Sequence, residues 1–75
     1  MTNEAIAQKL SEYADYLEGE ESNVHRVRAY RRAAQTIREL ERPAADILAE
    51  KGRAGLDELP GVGASLAYTI EGLVR

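Results

Sequence analysis

Apolar positions recur along most of this chain at helical spacing, and the pattern marks out four amphipathic segments and one short arm. The first segment covers 4–18, where Ile6, Leu10, Tyr13, Ala14 and Leu17 form one stripe. Thr2 or Asn3 stands at its start, and both residue types accept hydrogen bonds from the free N–H groups of a first turn. Glu12, Asp15 and Glu18 fall off the stripe. They predict a solvated face, with an acidic contact surface for a partner as the other reading. Residues 19–23 are polar, and Asn23 is placed to cap a second helix over 24–40.

On that second helix Val27, Tyr30, Ala33, Ala34 and Ile37 share one arc. Arg28, Arg31, Arg32 and Arg38 share the opposite arc with Gln35 and Glu39, while Arg26 lies nearer the apolar side. Pro43 suits the first turn of a third helix over 44–51, with Ile47 and Leu48 inward and Gly52 as its stop. A brief arm follows over 55–59 and a longer one over 64–74, whose stripe is Leu66, Ala67, Ile70, Leu73 and Val74. Leu56, Leu59 and Val62 face inward between them. Gly72 weakens the last helix by about 1 kcal/mol relative to alanine, which predicts fraying at its end. The pattern predicts an all-α fold: a compact bundle of four main helices plus the short arm, one domain spanning 1–75.

The two arms meet at Leu59-Pro60-Gly61-Val62-Gly63-Ala64. Pro60 removes an N–H and ends the first arm. Gly61 and Gly63 free the backbone for positive φ and carry no Cβ to block an approaching group. The second arm opens with unpaired N–H groups and its positive dipole end at the turn, which suits an anion such as phosphate. A tight connection between two helices has the same pattern, so both readings stand at this point.

Composition narrows the chemistry. The chain has 75 residues, no cysteine and one histidine, which excludes a disulfide framework, a catalytic thiol and a histidine-rich zinc site. No apolar run approaches the ~18 residues of a membrane span. The start shows no basic region leading into an apolar one, so an intracellular, cytoplasmic protein is expected. The net charge of −3 is unevenly spread. Residues 1–22 carry Lys9 against Glu4, Glu12, Asp15, Glu18, Glu20 and Glu21, a net −5. Residues 23–42 carry six arginines against Glu39 and Glu41, a net +4, and residues 43–75 carry −2. The arginines of the second helix either pair with the acids of the first or wait for an external anion. Like charges at i+3 and i+4 repel one another, and the planar guanidinium fork suits phosphate.

Leu-Pro-Gly-Val-Gly followed by an alanine-rich helix resembles a helix-hairpin-helix, the motif that grips a DNA backbone. Asn-Val-His-Arg-Val-Arg-Ala-Tyr-Arg-Arg-Ala-Ala, over 23–34, resembles the second helix of the N-terminal domain of family X DNA polymerases, the polymerase beta relatives. Residues 3–18 are similar to that domain's first helix, so the likeness covers nearly the whole chain in order and spacing. It implies backbone binding to DNA (gapped, nicked or single-stranded) with a 5′-phosphate end, in repair and associated with the nucleoid. The implied contacts are Gly61, Val62, Gly63, Ala64 and Ser65 at the turn, with Arg26, Arg28, Arg31 and Arg32 adding attraction. His25 and Tyr30 match residues of that family's DNA-end pocket; from the pattern alone, His25 is a capping or exposed residue and Tyr30 a core ring. The resemblance also implies a K⁺ or Na⁺ ion held by the backbone carbonyls of Asp57, Leu59 and Val62. A polymerase catalytic domain, in the same or another chain, is an implied partner.

Enzymatic activity is not expected. Some family members use a lysine amine in a lyase reaction at abasic sites, and the matching position here is Thr69, with Ser65 at the neighbouring phosphate-contacting lysine. A hydroxyl forms no imine, and the two lysines, Lys9 and Lys51, lie elsewhere. The carboxylates that would hold two magnesium ions for nucleotide transfer are missing from this stretch. A second reading, a protein-interaction module without DNA binding, uses the acidic first helix or the apolar hairpin face.

Overall fold

The computed structural model describes residues 1–20 and 24–75. Five helices and no strand occur among them: α1 (Asn3–Gly19), α2 (Val24–Glu39), α3 (Ala44–Lys51), α4 (Arg53–Asp57) and α5 (Ala64–Val74). The all-α expectation holds, and every helix boundary lies within two residues of the sequence pattern. The capping role expected of Asn23 falls outside the described residues.

Thr2 is the cap of α1: its backbone is extended, and its hydroxyl accepts from the Ala5 N–H at 3.0 Å. That frees Asn3 for a longer-range task. Its amide nitrogen donates to the Arg42 carbonyl at 2.9 Å, and its amide oxygen accepts from the Ala44 N–H at 2.7 Å. One side chain thus ties the start of α1 to the start of α3. Pro43 sits at the N-cap of α3, one position before the expected first turn, and offers no side-chain cap. The Asn3 carboxamide satisfies a first-turn donor in its place. Two hydrogen bonds, one part-buried, contribute about 1–2 kcal/mol together. Asn3→Ala should therefore lower the thermal midpoint by roughly 5–10 °C in calorimetry.

The core draws on all five helices. Ile6, Leu10, Ile37, Leu56 and Ile70 are fully buried. Ala7, Ala33, Ala34, Ala44 and Ala67 fill the seams between them and let the backbones come close. Tyr13 departs from the expected stripe and is 44 % exposed. A buried tyrosine needs a partner for its hydroxyl, which a seam lined by alanines does not offer. The ring lies on the rim instead, edge-on to Tyr30 with centroids 5.8 Å apart.

α4 begins and ends two residues earlier than expected. Glu58 is its C-cap, so the helix stops before Pro60 is reached, and a further bond from Leu59 N–H to Leu56 C=O closes one last turn. Pro60 is therefore not the breaker. α4 also crosses α3 closely at Gly55, where a Cβ would meet the Lys51 Cβ at 2.6 Å. α5 runs unbroken past Gly72, and the Arg75 N–H still reaches the Glu71 carbonyl at 3.1 Å.

Candidate nucleic-acid interface

The turn between α4 and α5 is held from inside. Val62 is 5 % exposed and plugs into the core, while its N–H donates to the Leu59 carbonyl at 3.0 Å. With Val62 inward, the residues on either side, Gly61 and Gly63, stand at the surface. Only Gly61 has positive φ, at 77°. Gly63 is extended (φ −104°, ψ −174°), and a Cβ there would meet nothing within 4 Å. The expectation that both glycines serve backbone geometry is thus corrected: that role belongs to Gly61 alone.

α2 fixes the turn from the side. The Thr36 hydroxyl donates to the Pro60 carbonyl at 2.6 Å. The stem of Arg32 lies across Gly61 so closely that a Cβ there would sit 2.6 Å from the Arg32 Cγ and Nε. Neither contact was singled out from the sequence. The signal for Thr36 was slight: a polar residue one helical turn after Arg32 on the same side of α2. Between α2 and the turn runs an open groove of about 300 Å³, lined by Arg26, Ala29, Tyr30, Gly61, Gly63, Ser65 and Leu66. α5 opens at this groove. Gly63 is its N-cap and supplies no side-chain acceptor, and the first closing bond runs from Ala67 N–H to Gly63 C=O at 2.8 Å. The N–H groups of Ala64, Ser65 and Leu66 are the ones such a helix start leaves without intrahelical partners.

The model of the helix-hairpin-helix domain matches the chain over residues 1–75. The chain belongs to the helix-hairpin-helix domain family. No curated protein and no solved structure matches it significantly. Membership points to nucleic-acid binding in general terms. No helix among the described residues is long and apolar enough to cross a membrane.

Around the hairpin, the arginine arc divides by neighbour. Arg31 turns to α1, donating to Asp15 at 2.9 Å with Glu18 at 3.6 Å, and Arg38 meets both oxygens of Glu4 at 3.2 Å. For these two the domestic explanation, pairing with the acids of α1, is the observed one. The hydrogen bond that Arg31 donates to Asp15 raises the Arg31 pKa, the Asp15 and Glu18 charges add to it, and desolvation opposes them. A raised cationic pKa stabilises the fold below the unfolded value and loses that stabilisation only at strongly alkaline pH, so the Arg31 pairing persists across the neutral range. Arg26, Arg28 and Arg32 make no ion pair among the described residues. Arg26 lines the groove and Arg32 the turn, while Arg28 is exposed one helical turn before Arg32 on α2. Two expected contacts are thus used within the fold: Arg31 by the acids of α1, and Val62, whose side chain is buried and whose N–H is taken by the Leu59 carbonyl.

Tyr30 is half-buried against the core, as the pattern predicts, and forms a wall of the groove. His25 is exposed in the first turn of α2. Thr69 donates to the Ser65 carbonyl at 3.2 Å. Lys9 pairs with Glu12 on α1, and Lys51 ends α3, so neither amine lines the groove. Of the three carbonyls expected to hold a cation, that of Leu59 already accepts from Val62 and keeps one lone pair. Those of Asp57 and Val62 accept no turn or cap bond among the described residues.

Proposed function

We propose that this domain binds the sugar–phosphate backbone of DNA without sequence preference, at gaps or nicks that carry a 5′-phosphate. The single observation behind this is one surface. Two exposed glycines and an uncapped helix start lie beside Arg26 and Arg32, cations with no acidic partner among the described residues. Phosphate oxygens accept from the amides of Gly63, Ala64 and Ser65 and take the dipole end of α5. Arg26, Arg28 and Arg32 add attraction, and no element is placed to enter a major groove and read base edges. The likeness to the polymerase beta N-terminal domain supports a role in repair, as a module beside a family X catalytic domain or as its free-standing relative. A K⁺ or Na⁺ ion on the Asp57, Leu59 and Val62 carbonyls would bridge to the same phosphate.

The proposed role is binding without lyase chemistry, because the hydroxyls of Ser65 and Thr69 stand where an amine is required. The interaction-module reading loses its acidic surface in part, since Glu4, Asp15 and Glu18 are engaged by Arg38 and Arg31.

One hairpin touching few phosphates should bind weakly, at roughly 10⁻⁴ to 10⁻⁶ M. The test is a titration of 5′-phosphorylated gapped duplex at several salt concentrations. Arg28→Ala with Arg32→Ala should reduce the slope of log K against log salt by about 2, whereas Arg31→Ala should leave it nearly unchanged. An unaltered slope in the double variant would remove those arginines from the phosphate contact. No binding at low salt, with no shift of the Gly61, Gly63 and Ser65 amide resonances, would favour the interaction module.

A further inference from the structure

We infer that the second groove of the hairpin, between α4 and α5, receives an unpaired nucleobase stacked on Tyr68. The inference rests on the backbone-binding reading above and extends it to the strand's bases. This groove, of about 640 Å³, is lined by Arg53, Ala54, Asp57, Ala64, Ser65 and Tyr68. Tyr68 is 67 % exposed, the most open large apolar side chain of the described residues. The Arg53 guanidinium covers its ring at 5.4 Å from the centroid. An aromatic ring beside a guanidinium plane is the combination on which successive bases of single strands stack.

Two further observations favour a base over any other occupant. The first is continuity. Ser65 borders both grooves, the one with Arg26 and Gly63 and the one with Tyr68. Ser65 and Tyr68 are three residues apart on α5, about 5 Å of rise. A strand whose phosphate sits at the helix start therefore carries its next base to Tyr68. The second is charge. Arg53 already meets Glu71 at 3.6 Å, and Asp57 lines the same groove. That balance gives no net attraction to a second phosphate, but it suits a flat, neutral heterocycle with polar edges. The α2 side of the hairpin would then hold backbone and the α4 side a base, which selects gapped or single-stranded DNA over intact duplex.

The test compares two gapped duplexes of the same backbone, one with ordinary nucleotides in the gap and one with abasic tetrahydrofuran residues there. The wild-type chain should prefer the base-bearing gap by between about fivefold and a hundredfold, the range that one base–aromatic stack supplies. Tyr68→Ala should abolish that preference while keeping the affinity for the abasic gap, and Tyr68→Phe should retain it. A 2-aminopurine in the gap should be quenched on binding by the wild type and far less by Tyr68→Ala. Equal wild-type affinity for the two gaps overturns the stacking site and leaves backbone binding intact. So does a Tyr68→Ala variant that keeps the preference. Failure of the wild type to bind either gap overturns both readings together.

Discussion

Leu56→Ala should unfold the first arm of the hairpin and bring the whole domain close to the limit of its stability. α4 has five residues, well below the ~12–15 at which an isolated helix becomes even marginal in water. Tertiary contact must hold it, and Leu56 is its one large side chain at 0 % exposure. Truncating a buried leucine costs about 2–5 kcal/mol through lost transfer energy and the cavity left behind. A chain of 75 residues has a total stability of roughly 4–11 kcal/mol. The thermal midpoint should fall by about 10–30 °C in a circular-dichroism melt. Hydrogen exchange should show the amides of 53–59 losing protection first, because beyond Leu56 that arm is held by the half-buried Leu59, the buried Val62 of the turn and single hydrogen bonds such as Thr36 to Pro60. DNA affinity should fall with the fold, since the turn is then no longer held against Arg32. A loss under 1 kcal/mol would mean that α4 is held by something other than the core.

What the sequence revealed and what it hid divide along a physical line. Helix positions were legible because the apolar stripes, the Thr2 cap and the Gly52 stop are local features, decided by neighbours within a turn. The inward Val62 was legible for the same reason. Contacts between distant segments were not. Nothing near Asn3 announces that its amide will bridge to Arg42 and Ala44, and nothing near Thr36 points to Pro60. The arginine arc shows the boundary most clearly. Helical angle put Arg28, Arg31, Arg32 and Arg38 on one side of α2. Which of them meet acids depends on where α1 lies, and α1 takes Arg31 and Arg38. Arg26, the one that looked closest to the apolar side, turned out to line the groove, because that side of the helix faces the hairpin. The pairing of Arg53 with Tyr68 joins two arms of the hairpin and carried no local signal at all.

The two glycines of the turn should behave differently, and the difference separates folding from binding. Gly61→Ala forces an L-residue to a φ of 77°, which costs about 1–2 kcal/mol. The new Cβ would also lie 2.6 Å from the Arg32 stem, so that side chain must swing away from the turn. Stability and DNA affinity should therefore fall together, with the midpoint down by roughly 5–15 °C. Gly63→Ala meets neither obstacle, since its backbone is extended and the space around it is open. Alanine is a poorer N-cap than glycine, but it also restricts the unfolded chain, and the two effects nearly offset. Thermal stability should change by less than about 1 kcal/mol. Binding is another matter, because a methyl group would stand on the surface that a phosphodiester must approach to reach the amides of Ala64 and Ser65. Serine or aspartate at this position would cap α5 better, yet either would occupy the donors that glycine leaves open. A Gly63→Ala variant that melts like the wild type and binds gapped DNA several-fold more weakly fits a glycine kept for the ligand. Unchanged affinity would instead place the phosphate away from this end of the turn and leave Gly61 as the one of these two turn glycines that the hairpin requires.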